Sequence, residues 1–131
     1  MLTLKTYLVE GNPLIRHNLI AALEELTTVE FVGTAEDQLT AEAWLADGAH
    51  ECELLIIAAS LRRGSGLDVL RWAHRMPRPP AVVVLSDFNS PEMQQRCIAM
   101  GALRVFDLSK EFDDLVSFCA GFRALNDRDR E

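Results

Sequence analysis

The chain has no surplus of basic residues: 13 Lys and Arg stand against 20 Asp and Glu, a formal charge of −7. A nucleic-acid binder is therefore not expected, because phosphate-facing surfaces need clustered Lys and Arg in excess. No apolar run approaches the ~20 residues of a membrane span; Leu54–Ala59 and Ala81–Leu85 are the longest. The first residues, Met1-Leu2-Thr3-Leu4-Lys5, lack the charged start and long apolar stretch of a secretory signal. Internal repeats and low-complexity segments are missing too. Cysteine is sparse and odd in number, at Cys52, Cys97 and Cys119 in apolar surroundings, which reads as buried thiols in a reducing cytoplasm. What is present is 131 residues that are 49% hydrophobic, enough for the core of one compact domain and too few for a second. That length fits a stand-alone protein and an excised domain equally.

Short apolar runs alternate with longer amphipathic stretches. Leu4–Val9 is followed by Asn12-Pro13, a cap residue and a proline at the first helical position, which predicts a helix over 13–26. Val29–Thr34 predicts a second strand and 38–48 a weaker helix. Leu54–Ala58 is continuously apolar, the mark of a strand covered on both faces and so of a parallel sheet. Gly64-Ser65-Gly66 leads into a third helix that stops before Pro77. Ala81–Leu85 is a fourth strand, Ser90-Pro91 opens a fourth helix, and Gly101 suits the residue that ends it. Leu103–Phe106 is a fifth strand. Ser109 is predicted to cap a last helix whose Phe112, Leu115, Val116, Cys119 and Phe122 share one face. Five βα units in this length predict an α/β fold, a five-stranded parallel sheet doubly wound with helices on both faces in three layers. The domain is expected to span 1–125, with a charged tail at 126–131.

In such a sheet, ligands bind beyond the carboxyl ends of the strands, near the point where strand order reverses. The residues placed there are Glu10-Gly11-Asn12, Ala58–Arg63, Ser86-Asp87 and Asp107–Lys110. Together with Leu8-Val9-Glu10-Gly11-Asn12-Pro13, Leu61-Arg62-Arg63-Gly64-Ser65-Gly66, Val83-Val84-Leu85-Ser86 and Gly101 through Ser109, they make the chain resemble the response-regulator receiver domains of two-component signalling, from Lys5 to about Leu125. The resemblance implies a flavodoxin-like (βα)5 fold. It also implies phosphoryl transfer onto an aspartate at the end of the third strand, with neighbouring acids holding Mg²⁺, a lysine and a switch hydroxyl.

This sequence departs from that pattern. By the resemblance the phosphoacceptor position is Ala58, the second acid of the first strand's pair is Gly11, leaving Glu10, and the lysine position is Leu108. Ser86 keeps the switch hydroxyl, and the aromatic switch position falls on Val105. Mg²⁺ binding is expected to be lost, no cofactor is expected, and the chain reads as a non-enzymatic pseudo-receiver acting through a protein partner, including self-association through its fourth helix, fifth strand and fifth helix. Phe118 reads as an exposed contact or as partly buried against the fourth helix. Arg62 and Arg63 belong to a locally positive segment that reads as a solvated face or as a patch for an anion or acidic partner. The alternative function is a sensor holding a small anionic ligand in the vacated pocket between Arg62, Arg63 and Ser86. Lys110 as a stand-in lysine and Asp87 as a displaced acceptor are weaker readings. His17, His50 and His74 read as surface residues.

Overall fold

The computed structural model describes residues 2–87 and 90–129, with side chains described as far as Phe122. Five strands, β1 (Leu4–Val9), β2 (Val29–Ala35), β3 (Leu54–Ala58), β4 (Ala81–Leu85) and β5 (Arg104–Phe106), form one parallel sheet in the order β2-β1-β3-β4-β5. They alternate with α1 (Pro13–Leu26), α2 (Gln38–Ala46), α3 (Gly66–His74), α4 (Pro91–Ala99) and α5 (Leu108–Asp129). The doubly wound, three-layer arrangement expected from the apolar pattern is the one observed. The expected charged tail lies outside the described side chains.

Side-chain alternation divides the core in two. Leu8, Leu54, Ile56, Val83 and Phe106 face α1 and α5, meeting Leu19, Leu23, Leu115 and Cys119. Tyr7, Val9, Leu55, Ile57, Val84 and Val105 face the other way, onto Val69, Leu70 and Cys97. All five residues of β3 are buried, each large side chain contributing ~1.5–3 kcal/mol. The central strand is thus an anchor from which its carboxyl end is held in place. Cys97 and Cys119 are buried as expected, whereas Cys52 is half-buried.

Most helix starts follow the expected capping chemistry. Asn12 Oδ1 accepts the Leu14 and Ile15 amides, Ser65 Oγ the Leu67 amide and Ser90 Oγ the Met93 amide. Two boundaries move: α2 ends at Ala46 with Asp47 as its cap, and β5 begins at Arg104. The start of α5 corrects the sequence reading. Asp107, not Ser109, is the capping residue: its Oδ1 accepts the Ser109 amide at 2.9 Å and the Ser109 hydroxyl at 2.6 Å. Glu111 Oε1 accepts the Asp107 amide in return, a reciprocal arrangement like a capping box. Glu111 is non-helical (φ −125°, ψ 25°), which kinks the helix after its first turn.

Two glycines admit close packing. The β1–β2 register shifts between Thr6 and Tyr7 and brings Gly33 opposite Tyr7; a Cβ there would sit 2.8 Å from the Tyr7 ring. The space holds a column of rings, Tyr7 on Trp44 at 3.9 Å and Trp44 on His50 at 4.2 Å. At Gly66 a Cβ would lie 1.9 Å from the Ala58 carbonyl oxygen, so α3 starts hard against the end of β3. Among the described residues no helix is long and apolar enough to cross a membrane.

Candidate functional site

The chain order reverses between β1 and β3, and the crevice beyond their carboxyl ends is where a doubly wound sheet presents its site. Backbone hydrogen bonds carry the sheet one residue past its strands. Glu10 N–H donates to Ala35 O, Ala59 N–H to Leu85 O and Ser86 N–H to Phe106 O, at 2.8–2.9 Å. Glu10, Ala58 and Ser86 are thereby fixed as a row along one edge. They line a depression of about 600 Å³ that is closed by Leu108 and Ser109 from the start of α5 and by Met93 from α4.

Glu10 is only 8% exposed. Its Oε2 accepts the Asn12 amide at 2.9 Å, while Arg16 donates to its backbone carbonyl at 2.8 Å and pairs with Glu36 at 3.2 Å. Burial pushes the Glu10 carboxyl above its ordinary value and the Asp87 charge adds to this, against the backbone amides of Asn12 and Gly11 and the charge of Arg16. Ala58 presents a methyl group at 7% exposure, and Ser86 is equally buried. Asp107 is held below the usual carboxylate range, first by the Ser109 hydroxyl.

Of the residues singled out in the sequence, Glu10, Ala58, Ser86 and Leu108 come together in this depression. Gly11 borders an adjoining shallow cleft of about 360 Å³ with Glu10 and Arg62. It is crowded there: a Cβ would lie 3.2 Å from the Arg62 amide nitrogen and 3.4 Å from the Glu36 carbonyl oxygen. Arg62 and Arg63 are both exposed. The Asp37 carboxyl is held below its ordinary value chiefly by hydrogen bonds from Thr40, to which the Arg63 charge adds. Val105 is buried in the core half that meets α4 and does not line the depression.

Phe118 is partly buried rather than exposed, and it packs on β5 and its own helix rather than on α4. It is half-buried, edge-on to Phe106 at 6.0 Å and stacked on Phe122 at 5.6 Å, with the Arg104 guanidinium 5.7 Å from its ring. Asp87, placed by the sequence beyond the end of the fourth strand with Ser86, lines the depression beside it. Ser109, one of the Asp107–Lys110 residues placed beyond the strand ends by the sequence, lines it from the first turn of α5, and Met93, not foreseen as a site residue, is carried there by the first turn of α4. Met93 gave no strand-end signal, since it follows the last residue of β4 by a loop and the start of a helix.

A model of the response regulator receiver domain family matches residues 7–117. No curated protein matches by sequence. Among solved structures, a LuxR-family two-component response regulator from Aurantimonas sp. SI85-9A1 superposes with a TM-score of 0.83 at 15% identity, covering 94% of this chain and 86% of that one. The response regulatory domain of protein mrkE from Klebsiella pneumoniae gives 0.81 at 13% identity, covering 95% and 98%. RcsB from Salmonella enterica serovar Typhimurium, bound to promoter rprA, gives 0.69 at 18% identity, covering 80% of this chain and 59% of that one.

Proposed function

The chain belongs to the response regulator receiver domain family, and we propose that within it the protein is a phosphorylation-independent module that signals by binding another protein. Receiver domains are generally non-catalytic signalling domains that work through partner proteins. The observation that carries the reading is the Ala58 methyl at the carboxyl end of β3, the position where the resemblance calls for the phosphoacceptor. A methyl group has no lone pair to attack phosphorus. Leu108 beside it offers no cation for phosphoryl oxygens, and Gly11 no second carboxylate.

The donor set also fits Mg²⁺ poorly. That ion demands a near-octahedral set of hard oxygens; the carboxyl groups lining the depression are Glu10 and Asp87, and no group of three His, Cys, Asp or Glu placed to hold a metal occurs among the described residues. Incubation with acetyl phosphate and Mg²⁺ is expected to leave the protein unmodified. An acid-labile phosphoprotein would overturn the reading.

The face formed by α4, β5 and α5 is the proposed binding surface. Ile98 and Leu103 are 53% and 47% exposed on it, and Arg104 lies 5.0 Å from the Phe106 ring centroid, covering the edge strand. Its occupant is a partner protein or a second copy of the chain, which sedimentation equilibrium separates. The thiols of Cys52 and Cys119, each pushed up to about 12 by burial, suit a reducing cytoplasm. The alternative of an anionic ligand has less support. Arg62 and Arg63 do not line the depression, whereas Glu10 and Asp87 do.

A further inference from the structure

Glu10 is a buried residue, and its carboxyl group accepts hydrogen bonds from backbone amides. The nearest guanidinium, Arg16, is committed to the Glu10 carbonyl and to Glu36. Among the described residues no basic side chain lines the depression, yet a second carboxyl group, Asp87, does. A buried carboxylate without a cation is costly, and this one opens onto about 600 Å³. The remaining wall is largely apolar, with Ala58, Leu108 and Met93 around the Ser86 hydroxyl. Acidic groups in an apolar-walled hollow match a positive head on an aliphatic stem, whose methylenes cover the wall while the head meets the acids.

We propose that the depression receives an organic cation, a guanidinium or primary ammonium on an aliphatic chain, with Glu10 and Asp87 as its counter-charges. The proposal rests on the phosphorylation-independent reading and names the chemistry that the same site would recognise. Its source is a basic side chain of a partner or a free amine; the chemistry at the carboxylates is the same. The position favours a partner. Met93 begins α4 and Ser109 begins α5, so a protein seated on the α4–β5–α5 face lies at the rim.

The test is a titration of the full chain at neutral pH with ethylguanidinium and n-butylammonium chloride, following backbone amide NMR shifts. Sodium chloride at matched ionic strength, MgCl₂ and inorganic phosphate serve as comparators. The organic cations are expected to give saturable shifts centred on Gly11, Asn12, Ser86 and Asp87, which sodium chloride does not. Glu10→Gln weakens their binding by about tenfold, the loss of one charged hydrogen bond, and Asp87→Asn weakens it further. The amide spectrum itself reports whether each variant is folded. Tighter binding of a short peptide bearing one arginine than of ethylguanidinium assigns the cation to a partner chain; equal binding assigns it to a free amine.

Saturation of the same amides by phosphate or Mg²⁺ in preference to the organic cations would overturn the proposal. So would organic-cation shifts that follow ionic strength alone or survive both substitutions. These outcomes are separate from phosphorylation by acetyl phosphate, which tests the underlying reading.

Discussion

Where β1 and β3 begin, the Lys5 ammonium lies 2.7 Å from Glu30 Oε1, Thr3 donates its hydroxyl to the same oxygen at 2.6 Å, and the Lys5 amide donates to Glu53 at 3.0 Å. Where the same strands finish, the Glu10 carboxyl accepts from backbone amides, the neighbouring Arg16 spends its hydrogen bonds on the Glu10 carbonyl and on Glu36, and Asp87 shares the hollow. The starting end also stacks Tyr7, Trp44 and His50 into a filled column, while the finishing end carries a methyl, a hydroxyl and open volume. The first end sets an ammonium of the chain itself among its carboxylates. The second leaves a charge for something else to balance, and that is the physical signature of a binding site rather than of a stabilising one.

Four substitutions break or sharpen this contrast. The largest effect is expected at the finishing end from Gly66→Ala. Its Cβ would lie 1.9 Å from the Ala58 carbonyl oxygen, so α3 must shift, at a cost of about 3 kcal/mol in urea unfolding. An unchanged midpoint would mean that the hollow's floor is soft. Gly33→Ala at the starting end meets the Tyr7 ring at 2.8 Å and should cost about 1–2 kcal/mol, with altered near-ultraviolet dichroism from the ring column.

Glu10→Gln separates the ends by pH. Because burial raises the folded carboxyl above its ordinary value of 4.5, the folded state binds more protons than the unfolded state in the window above that value. The wild-type protein therefore loses stability as pH rises through that window. The amide does not titrate, so thermal melts should show the stability difference moving in favour of Glu10→Gln between about pH 4 and about pH 7. A pH-independent difference would refute the strain assigned to Glu10. The smallest effect, about 0.5 kcal/mol, belongs to His50→Ala, which removes the outermost ring; it should alter Trp44 fluorescence without touching the Ser86 or Asn12 amide shifts.

The sheet was legible in the sequence because its signals are local. Continuous apolar runs at Leu54–Ala58 and Ala81–Leu85, and cap-then-proline pairs at Asn12 and Ser90, each act within a few residues, and the structure keeps all of them. The start of α5 was misread because Asp107 and Ser109 both carry capping oxygens, and only the strand's direction decides which one faces the exposed amides. The expected stripe of α5 holds, and Phe118 joins its edge because it lies one turn from both Leu115 and Phe122, where the β5 ring of Phe106 gives it a partner that helical spacing alone does not reveal. The row Glu10, Ala58, Ser86 and Leu108 was legible from strand ends alone. The sign of the hollow was not. It depends on where Arg62 and Arg16 reach, and long side chains choose partners only in three dimensions.

The crowding at Gly11 sets an order on any path back to phosphoryl chemistry. A carboxylate in place of Ala58, or an ammonium in place of Leu108, would enter space that already exists. A side chain at position 11 would first meet the Arg62 backbone and the Glu36 carbonyl, which must give by a few tenths of an ångström before a second acid fits. Position 11 is therefore the tightest of the three: Ala58 and Leu108 already face open volume, while any side chain at 11 has to be made room for by the backbone around it.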